Sequence, residues 1–354
     1  MRDHYYDDYY DDYYEEPPRR RRRKKKRTGA LLLLVLLLLL MIPIALLVWR
    51  LEQIPREEID RNALERVPVS GNFTNIAVFG LDAPPGEEMG ARSDTIMVAS
   101  INNRSGEMRL LSVYRDTLML MGGGFYDKAN HAYAFGGPQE AVAMLNRNLD
   151  LDIEYFVTVN FNSLASIINI LGGVEVELSS EELRLINHHN TQTAAYAGLE
   201  IPPALNEGSP GVHNLCGVQA VSFSRIRMTE GGDFRRAERQ REVFEQVLSG
   251  VSRATPMQML RIQDEVLPYT KTNMSSGEIL LQGFNLFRMN LGEMSGYPFN
   301  VTTGMIGGVS YVIPVNTSEN VRELHRVLFD NQNFTPSDRV QEISAGISNK
   351  TGVW

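Results

Sequence analysis

Cysteine is almost absent from this sequence, and several catalytic motifs are missing as well. The 354 residues include one cysteine, Cys216, so an intramolecular disulfide and a cysteine-based zinc site are excluded. There is no HExxH pattern, no GxSxG motif of a serine hydrolase and no GxxxxGKS/T motif of a nucleotide triphosphatase. Hydrophobic residues make up 43% and charged residues 22%, as in ordinary globular proteins. These values exclude a wholly disordered, collagen-like or multi-pass membrane chain.

Positive charge is scarce beyond the first 29 residues. Residues 1–29 contain ten Lys or Arg and seven Asp or Glu, whereas the remainder contains 25 and 36, a net charge of −11. Such an acidic body binds nucleic acid poorly, because that affinity comes largely from neutralising phosphates. We therefore expect no nucleic-acid partner, and any phosphate chemistry requires a local cluster of arginines.

The first fifty residues predict a tail and a membrane anchor. Residues 5–16 contain three copies of Tyr-Tyr followed by two acidic residues, a low-complexity pattern that predicts a disordered tail over 1–29. Residues 30–49 carry no charge, and about 20 apolar residues span a bilayer as a helix. A cleaved signal peptide is less favoured, because the segment is long and no A-x-A-like site follows it.

The basic residues beside this segment predict its orientation. Nine consecutive Lys or Arg residues at 19–27 place the tail in the cytoplasm and the following domain outside. A nearly cysteine-free exterior fits a bacterial cell envelope. We therefore expect a single-pass protein of the bacterial cell membrane with an extracytoplasmic domain.

Strand and helix patterns alternate after the membrane segment. Apolar runs predict strands at 76–81, 95–101, 108–114, 155–160, 174–178, about 296–302 and 309–314. The turn at 102–106 joins the second and third strands as a hairpin. Helical spacing predicts helices at 138–149, 163–171 and 234–253, and the polar residues 187–215 predict a long loop. The fold class is therefore α/β, with a mixed central sheet flanked by helices and preceded by one transmembrane helix.

These patterns divide the chain into five parts. We predict a cytoplasmic tail, a transmembrane helix, a charged stalk, a catalytic domain, and a C-terminal part packed on that domain or continuing it; their bounds are 1–29, 30–49, 50–72, 73–254 and 255–354. No repeat of 20–50 residues is visible, so a solenoid is not expected.

Two aspartates stand at predicted strand ends. Asp82 follows the strand 76–81, and Asp94 precedes the strand 95–101. A turn-rich segment joins them, so both carboxylates can converge at one edge of the sheet. Mg²⁺ typically binds one or two carboxylates together with substrate phosphates. The alternative is that each aspartate caps a turn or a helix.

Arginines cluster in two places despite the acidic composition. Arg115 and Asp116 end the third strand, and Arg225 and Arg227 point to one face of an extended segment. Asp233 is a candidate N-cap for the next helix, on which three residues share a face: Arg236, Arg239 and Gln240. Guanidinium groups suit bidentate phosphate recognition. The alternative is a solvated basic surface.

Taken in order, these segments resemble the LytR-CpsA-Psr family. The resemblance covers residues 75–251 and rests on the motifs Asn75 to Asp82, Arg92-Ser93-Asp94-Thr95, Leu111 to Thr117, Lys128 to Tyr133, Phe135 to Pro138, Leu171 to Val174, Arg225-Ile226-Arg227, and Asp233-Phe234 with Arg236, Arg239 and Gln240. Each motif is weak alone, but their order and spacing are specific. Two positions depart from the family pattern, which usually has Pro where this chain has Tyr114 and Gly where it has Arg235.

The resemblance implies an α/β/α sandwich and a Mg²⁺-dependent enzyme at the outer face of the membrane. Such an enzyme moves a glycopolymer, such as teichoic acid or capsule, from a polyprenyl-pyrophosphate carrier to a peptidoglycan hydroxyl through a phosphodiester bond. Helices 138–149 and 163–171 would line the groove for the prenyl chain. Two rival functions use the same site: a lipid-pyrophosphate phosphohydrolase, and a non-catalytic lipid-binding regulator (a transcription attenuator).

The same resemblance implies roles for the candidate residues. Asp82 and Asp94 would bind Mg²⁺, and one of them would help to deprotonate the acceptor hydroxyl. The expected catalytic residues are Asp82, Asp94, Arg92, Arg115, Arg225 and Arg227. The expected substrate-binding residues are Asp116, Asp233, Arg236, Arg239 and Gln240.

Overall fold

The computed structural model describes residues 48–69, 71–83, 90–287 and 290–354. The predicted tail (1–29) and all of the predicted membrane helix (30–49) except its last two residues lie outside these ranges. Within them, no helix has both the length and the apolar character needed to cross a membrane.

Strands and helices are numbered here in chain order. The strands are β1 (Phe73–Leu81), β2 (Ser93–Asn102), β3 (Glu107–Val113), β4 (Leu118–Leu120), β5 (Tyr126–Lys128), β6 (Ile153–Asn160), β7 (Val174–Leu178), β8 (Gly211–Leu215), β9 (Lys271–Thr272), β10 (Asn290–Tyr297), β11 (Val301–Ile306) and β12 (Val309–Pro314). The helices are α1 (His131–Leu149), α2 (Phe161–Leu171), α3 (Ser180–Ala197), α4 (Gly217–Ser224), α5 (Gly232–Ser252), α6 (Pro256–Glu265), α7 (Ser276–Phe287), α8 (Thr317–Phe329) and α9 (Asp338–Thr351).

A mixed sheet of six strands lies at the centre, in the order β10-β3-β2-β1-β6-β9. Its strands β1, β2 and β3 are antiparallel neighbours, which confirms the predicted hairpin. The hairpin turn is held by Asn102, whose side chain accepts hydrogen bonds from two backbone N–H groups. Strand β6 runs parallel to β1, and β10 runs parallel to β3. The predicted mixed sheet is therefore confirmed.

The two faces of the sheet bury different side chains. Phe79 of β1 and Leu111 of β3 belong to one apolar cluster with residues of α1, α8 and α9. Ile76, three residues before Phe79, and Leu110, one residue before Leu111, belong to a second cluster with residues of α5 and α7. Period-two alternation along the strands produces this division, so helices flank both faces, as the sequence predicts. Strand β10 brings the segment 255–354 into the same sheet.

Two predictions about secondary structure were wrong. The predicted loop 187–215 contains the C-terminal half of α3 and all of β8. Helix α3 begins with a capping box, in which Ser179 and Glu182 satisfy each other's backbone N–H groups. The predicted strand 296–302 is divided between the end of β10 and the start of β11.

Candidate functional site

One edge of the central sheet presents the acidic residues predicted from the sequence. Asp82 directly follows β1, and Asp94 is the second residue of the antiparallel strand β2. A Cβ atom at Gly80 would lie 2.9 Å from the Cβ of Thr95, so glycine permits the close approach of the strands here. The pairing shifts register between Gly80 and Leu81. The two aspartates therefore leave neighbouring strands at the same end.

Asp94 is the centre of an ion-pair cluster. Its Oδ1 accepts a hydrogen bond from Arg115 at 2.9 Å, and its Oδ2 accepts from Arg227 at 3.0 Å and from Arg236 at 2.9 Å. Only 10% of the Asp94 side chain is exposed. Burial alone raises the pKa of this carboxyl, but the charges of Arg236, Arg115 and Arg227 outweigh burial and hold the pKa below its ordinary value. Asp94 is therefore a carboxylate that gathers three guanidinium groups.

Asp233 and Asp116 complete the charges around Arg115. The Nε atom of Arg115 lies 3.2 Å from Asp233 and 3.7 Å from Asp116. Asp233 also accepts a hydrogen bond from Arg236 at 3.3 Å. It lies in the first turn of α5, whose N-cap is Gly231, so the prediction that Asp233 is the N-cap was wrong. The position suits its charge nevertheless, because the N-terminus of a helix favours anions.

Arg225 lies beside this cluster, among aromatic rings. Its guanidinium carbon is 4.9 Å from the ring centre of Phe161 and 5.5 Å from that of Tyr196. Its Nη1 donates to Thr193 at 3.1 Å, and its Nη2 lies 3.9 Å from the carboxylate of Asp82. Rings on the guanidinium face leave its edge free for hydrogen bonds. Arg225 and Asp82 therefore form the second part of the site.

The cations near Arg227 are incompletely balanced. About half of the Arg227 side chain is exposed, and Asp94 is its ion-pair partner among the described residues. Burial and the neighbouring charges of Arg236 and Arg115 lower the pKa of Arg227. The nearly buried Arg236 also has an Nε donor without a hydrogen-bond partner in the described part of the chain. Unsatisfied positive charge of this kind favours the binding of an anion.

Arg239 lies apart from these carboxylates. It is buried and pairs with Glu182 of α3 at 2.9 Å, and its Nη1 donates to the carbonyl oxygen of Ile226 at 3.2 Å. Ile226 stands between the two arginines Arg225 and Arg227. This geometry does not support direct phosphate binding by Arg239. It supports a positioning role, in which the buried ion pair holds the segment that carries the other arginines.

Two predicted residues make no contact with the cluster in the part of the chain that the structure describes. Arg92 is exposed just before β2, and no ion pair joins it to a described residue. Gln240 is half-buried on α5, and none of the described side chains hydrogen-bonds to it. The expected roles of both residues stay predictions.

Sequence reasoning missed several residues that support the site. Lys128 forms an ion pair with Asp116 at 3.0 Å, although the motif that contains it had been noticed. Thr193 and Tyr196, which contact Arg225, lie in the segment 187–215 that the sequence pattern predicts as a loop. The capping box of Ser179 and Glu182, with the S-x-x-E pattern, is a signal that predicts the helix carrying both residues.

The sequence profile of the LytR_cpsA_psr family matches residues 53–325. The chain belongs to this family. The match includes β1, β2, β3 and the loop between α4 and α5, which supply the side chains of the cluster. It also extends beyond the segment 75–251 on which the sequence resemblance rests.

Relatives in this family carry transferase names. The chain is 30% identical over 260 residues to the "Polyisoprenyl-teichoic acid--peptidoglycan teichoic acid transferase TagU" of Enterococcus faecalis, which covers 72% of this chain and 79% of the relative. It is 31% identical over 228 residues to the protein of the same name from Bacillus mycoides, covering 63% and 68%. These names describe the relatives.

Solved structures share the fold. A structure titled "TagT bound to LI-WTA" superposes with a TM-score of 0.55 at 22% identity, covering 84% of this chain and 94% of the other. A structure of the family protein YwtF (TagT) "with bound octaprenyl pyrophosphate lipid" gives a TM-score of 0.52 at 20% identity, covering 84% and 94%. At this identity the similarity shows the fold alone.

Tyr114 and Arg235, at which the chain departs from the family pattern, both have partners. The ring of Tyr114 packs edge-on against Phe234 with 4.8 Å between ring centres. Arg235 pairs with Glu238 at 3.0 Å and with Glu242 at 2.8 Å. Arg235 therefore balances acidic residues of its own helix, while Tyr114 links the segment after β3, which carries Arg115, to the start of α5.

The two predicted metal ligands fit Mg²⁺ by their chemistry. The described residues contain no group of three or more His, Cys, Asp or Glu side chains that could hold a metal ion, but Mg²⁺ needs only one or two carboxylates when phosphates and waters complete its shell. A carboxylate oxygen has two lone pairs, and Oδ1 of Asp94 accepts one hydrogen bond from a described residue. The Asp82 side chain is 36% exposed. Asp82 therefore presents an accessible oxygen ligand, whereas Asp94 retains a lone pair on a carboxylate that is mostly buried.

Proposed function

We propose that this protein is a membrane-anchored phosphotransferase that moves a glycopolymer from a polyprenyl-pyrophosphate carrier to a peptidoglycan hydroxyl. The observation that carries the proposal is the convergence of Arg115, Arg227 and Arg236 on Asp94, with Arg225 and Asp82 beside them. The transferase names of the relatives and the polyprenyl pyrophosphate in a structure with the same fold support this assignment.

The arginines of the site would bind the pyrophosphate. Arg225 and Arg227 lie two residues apart on a segment that Arg239 holds through the carbonyl of Ile226. Hydrogen bonds from guanidinium groups to phosphate are charge-assisted, and each contributes about 1.5–3 kcal/mol. Because their positions are set before substrate arrives, these donors stabilise the charge of the transferring phosphoryl group without reorganisation.

Asp82 and Asp94 would hold Mg²⁺ together with the phosphates. Bound there, the ion would neutralise charge that develops on the phosphoryl oxygens. The two aspartates differ in what else they can do. Asp94 is a poor base, because three arginines lower its pKa. Asp82 is more exposed and has a single, longer contact with a described arginine, so we assign to Asp82 the acceptance of the proton from the acceptor hydroxyl.

The prenyl chain would pack beside the arginines. Helix α4 ends immediately before Arg225, and its Phe223 belongs to an apolar cluster with Ile168 of α2, Leu183 of α3 and Val243 of α5. A lipid whose pyrophosphate contacts Arg225 would extend its chain between these helices, and they would have to separate to admit it, because these side chains are buried against one another. This assignment keeps α2 as a wall of the groove and replaces α1 with α3, α4 and α5.

The proposal is tested by single-turnover transfer of a lipid-linked glycan to peptidoglycan, with and without a chelator. We expect Asp82→Asn to abolish most transfer while leaving lipid binding largely intact. We expect Arg225→Ala to weaken binding of the lipid pyrophosphate about ten- to a hundredfold, the value of one charge-assisted hydrogen bond. Glu342→Gln and Arg322→Ala change exposed residues of α9 and α8 and serve as matched controls.

Each rival function predicts a different result in this assay. Release of lipid phosphate without peptidoglycan would favour a phosphohydrolase. Lipid binding without transfer of any of several polymers would favour a non-catalytic regulator. Full activity of Asp82→Asn, or transfer that ignores the chelator, would remove the metal from the mechanism.

A further inference from the structure

Helix α6 exposes two large apolar side chains on one of its faces. Met257 is 67% exposed and Leu260 is 43% exposed. Together with Arg261 and Asp264 they occupy positions i, i+3, i+4 and i+7, which share one face of a helix. The opposite side is anchored, since Gln263 is buried and Gln258 donates to the carbonyl oxygen of Ile170. The orientation of the exposed face relative to the domain is therefore determined.

This face lies where the described chain begins. Arg50 forms an ion pair with Asp264 at 2.6 Å, and the preceding residue, Trp49, is 58% exposed. The chain is attached to the domain directly afterwards, because Leu51 and Ile54 are buried. Trp49 is also the last residue of the segment 30–49 that predicts a membrane helix. The point at which the chain would leave the bilayer is thus one residue from a contact with α6.

Each charge on this face has an ion-pair partner of opposite sign. Asp264 pairs with Arg50, and Arg261 pairs with Glu265 at 3.0 Å. The face consequently offers little net charge to an anionic or cationic partner. An apolar partner could bury Met257 and Leu260. Tryptophan at an interface and arginine with its charged end in water are typical of protein next to a bilayer.

We propose that this face of α6 rests on the outer surface of the lipid bilayer, with Met257 and Leu260 inserted among the acyl chains. The inference rests on the predicted membrane helix, and it adds a second membrane contact to the single anchor. Two contacts restrict the rotation of the domain about its stalk. The domain then keeps one orientation toward a substrate whose lipid lies in the same bilayer.

Spin labels test the proposal in the full-length protein reconstituted into liposomes of phosphatidylglycerol and phosphatidylethanolamine. In a Cys216→Ser background, nitroxides are attached at Met257→Cys and Leu260→Cys, and power saturation compares their accessibility to oxygen and to a water-soluble nickel chelate. Met305→Cys is the matched control, because Met305 is an equally exposed methionine (68%) on β11. All three positions are exposed, so the melting curves should match that of the background protein.

We expect labels at 257 and 260 to be more accessible to oxygen than to the nickel chelate, and the label at 305 to show the reverse. Added 1 M salt should not change this, since salt screens charges but not apolar burial. Equal, water-like accessibility at all three positions would overturn the proposal, as would transfer of the two labels to water in high salt. The accessibility of the labels does not depend on transferase activity, so a negative result would overturn this proposal without affecting the proposed function.

Discussion

Asp94 shows how one side chain determines the arrangement of several others. Its three guanidinium partners come from the turn after β3, from the loop after α4 and from α5. Because its pKa is below the ordinary value of 3.8 in the folded protein, ionised Asp94 stabilises the fold above that pH. The contribution is lost as the pH falls through the still lower folded pKa.

Replacement of Asp94 by asparagine should therefore destabilise the domain. The substitution removes the carboxylate that the buried Arg236 shares with Arg115 and leaves both arginines with the more distant Asp233, and the loss of one partner of a buried ion pair costs up to about 3–5 kcal/mol. Urea unfolding of residues 48–354 at pH 7 measures the loss. Asp82→Asn is the control, since a partly exposed pair contributes at most about 1 kcal/mol. Equal midpoints for both variants would show that Asp94 does not organise the cluster.

His325 is a second side chain with a predictable effect on stability. It is fully buried, its ring lies 3.4 Å from that of Phe334, and its Nε2 donates to the carbonyl oxygen of Leu149 at 3.1 Å. Burial lowers the pKa of His325 from 6.5 to about 4, although the hydrogen bond opposes the change. The folded protein therefore keeps this imidazole neutral where the unfolded chain would protonate it.

Stability should fall as the pH decreases from 6.5 to 4, because only the unfolded state takes up the proton in this window. At 1.36 kcal/mol for each pKa unit, the contribution of His325 is on the order of 3 kcal/mol. Chemical denaturation at several pH values should show a smaller slope for His325→Gln than for the parent. His188→Gln changes an exposed histidine and should keep the parental slope. An unchanged slope in His325→Gln would contradict the assignment.

Helices α3 and α5 are joined by the buried pair of Glu182 and Arg239. Glu182 serves both as the last member of the capping box of α3 and as the partner of Arg239. Arg239 in turn holds the carbonyl oxygen of Ile226. Through this chain of contacts, the start of one helix positions the segment that presents Arg225 and Arg227.

Arg239→Met should lower the free energy of unfolding by up to about 3–5 kcal/mol, since it removes the nearer cation of the buried Glu182 and leaves it Arg235 at 3.9 Å. It should also weaken lipid-pyrophosphate binding, because the carbonyl of Ile226 loses its donor. The double variant Arg239→Met/Glu182→Gln should recover much of the stability, because glutamine still completes a capping box, but it should not recover the binding. Urea unfolding and a lipid-binding titration measure the two effects. Recovery of both together would argue against the positioning role.

The molecule as a whole depends on residues after the cluster. Strand β10 pairs with β3 along the edge of the central sheet. Val321, Leu324 and Leu328 of α8 are fully buried in the cluster that also contains Phe79. The segment 255–354 therefore covers apolar surface that the segment 73–254 exposes when it is alone.

A chain that ends at residue 254 should fail to fold cooperatively. It would leave β3 as an unpaired edge strand beside uncovered apolar residues, a combination that favours aggregation. Denaturation followed by circular dichroism compares residues 48–254 with residues 48–354. A sharp unfolding transition in the shorter chain would show that the first segment is an independent domain.

Topology can be tested on intact protoplasts of a bacterium that expresses the full chain. The basic block 19–27 before the uncharged segment 30–49 predicts that added protease digests the folded domain and spares the tyrosine-rich tail. Antibodies to tags at the two ends of the chain report the result, with lysed protoplasts as the control in which both ends are digested. Digestion of the tail in intact protoplasts would reverse the predicted orientation.

Local patterns were sufficient for the strands β1, β2 and β3, for their hairpin and for the mixed α/β class. Period-two burial and turn chemistry act between residues that are close in sequence, so they can be interpreted from one segment at a time. The same patterns identified Asp82, Asp94 and the arginines as unusual. The loop prediction over 187–215 was wrong because α3 is rich in polar residues, and only the capping box at its start indicates a helix.

Only the tertiary structure decided which arginine meets which carboxylate. Arg115, Arg227 and Arg236 are up to 142 residues from Asp94 in sequence, and no local pattern relates positions so far apart. Arg236 and Arg239 are three residues apart on α5 and share a face of that helix. The structure nevertheless gives them different partners, because Arg239 pairs with Glu182 of α3 and Arg236 pairs with Asp94. Composition and spacing determined the kinds of side chain available to this protein, whereas the packing of α3, α4 and α5 against the sheet determined their partners.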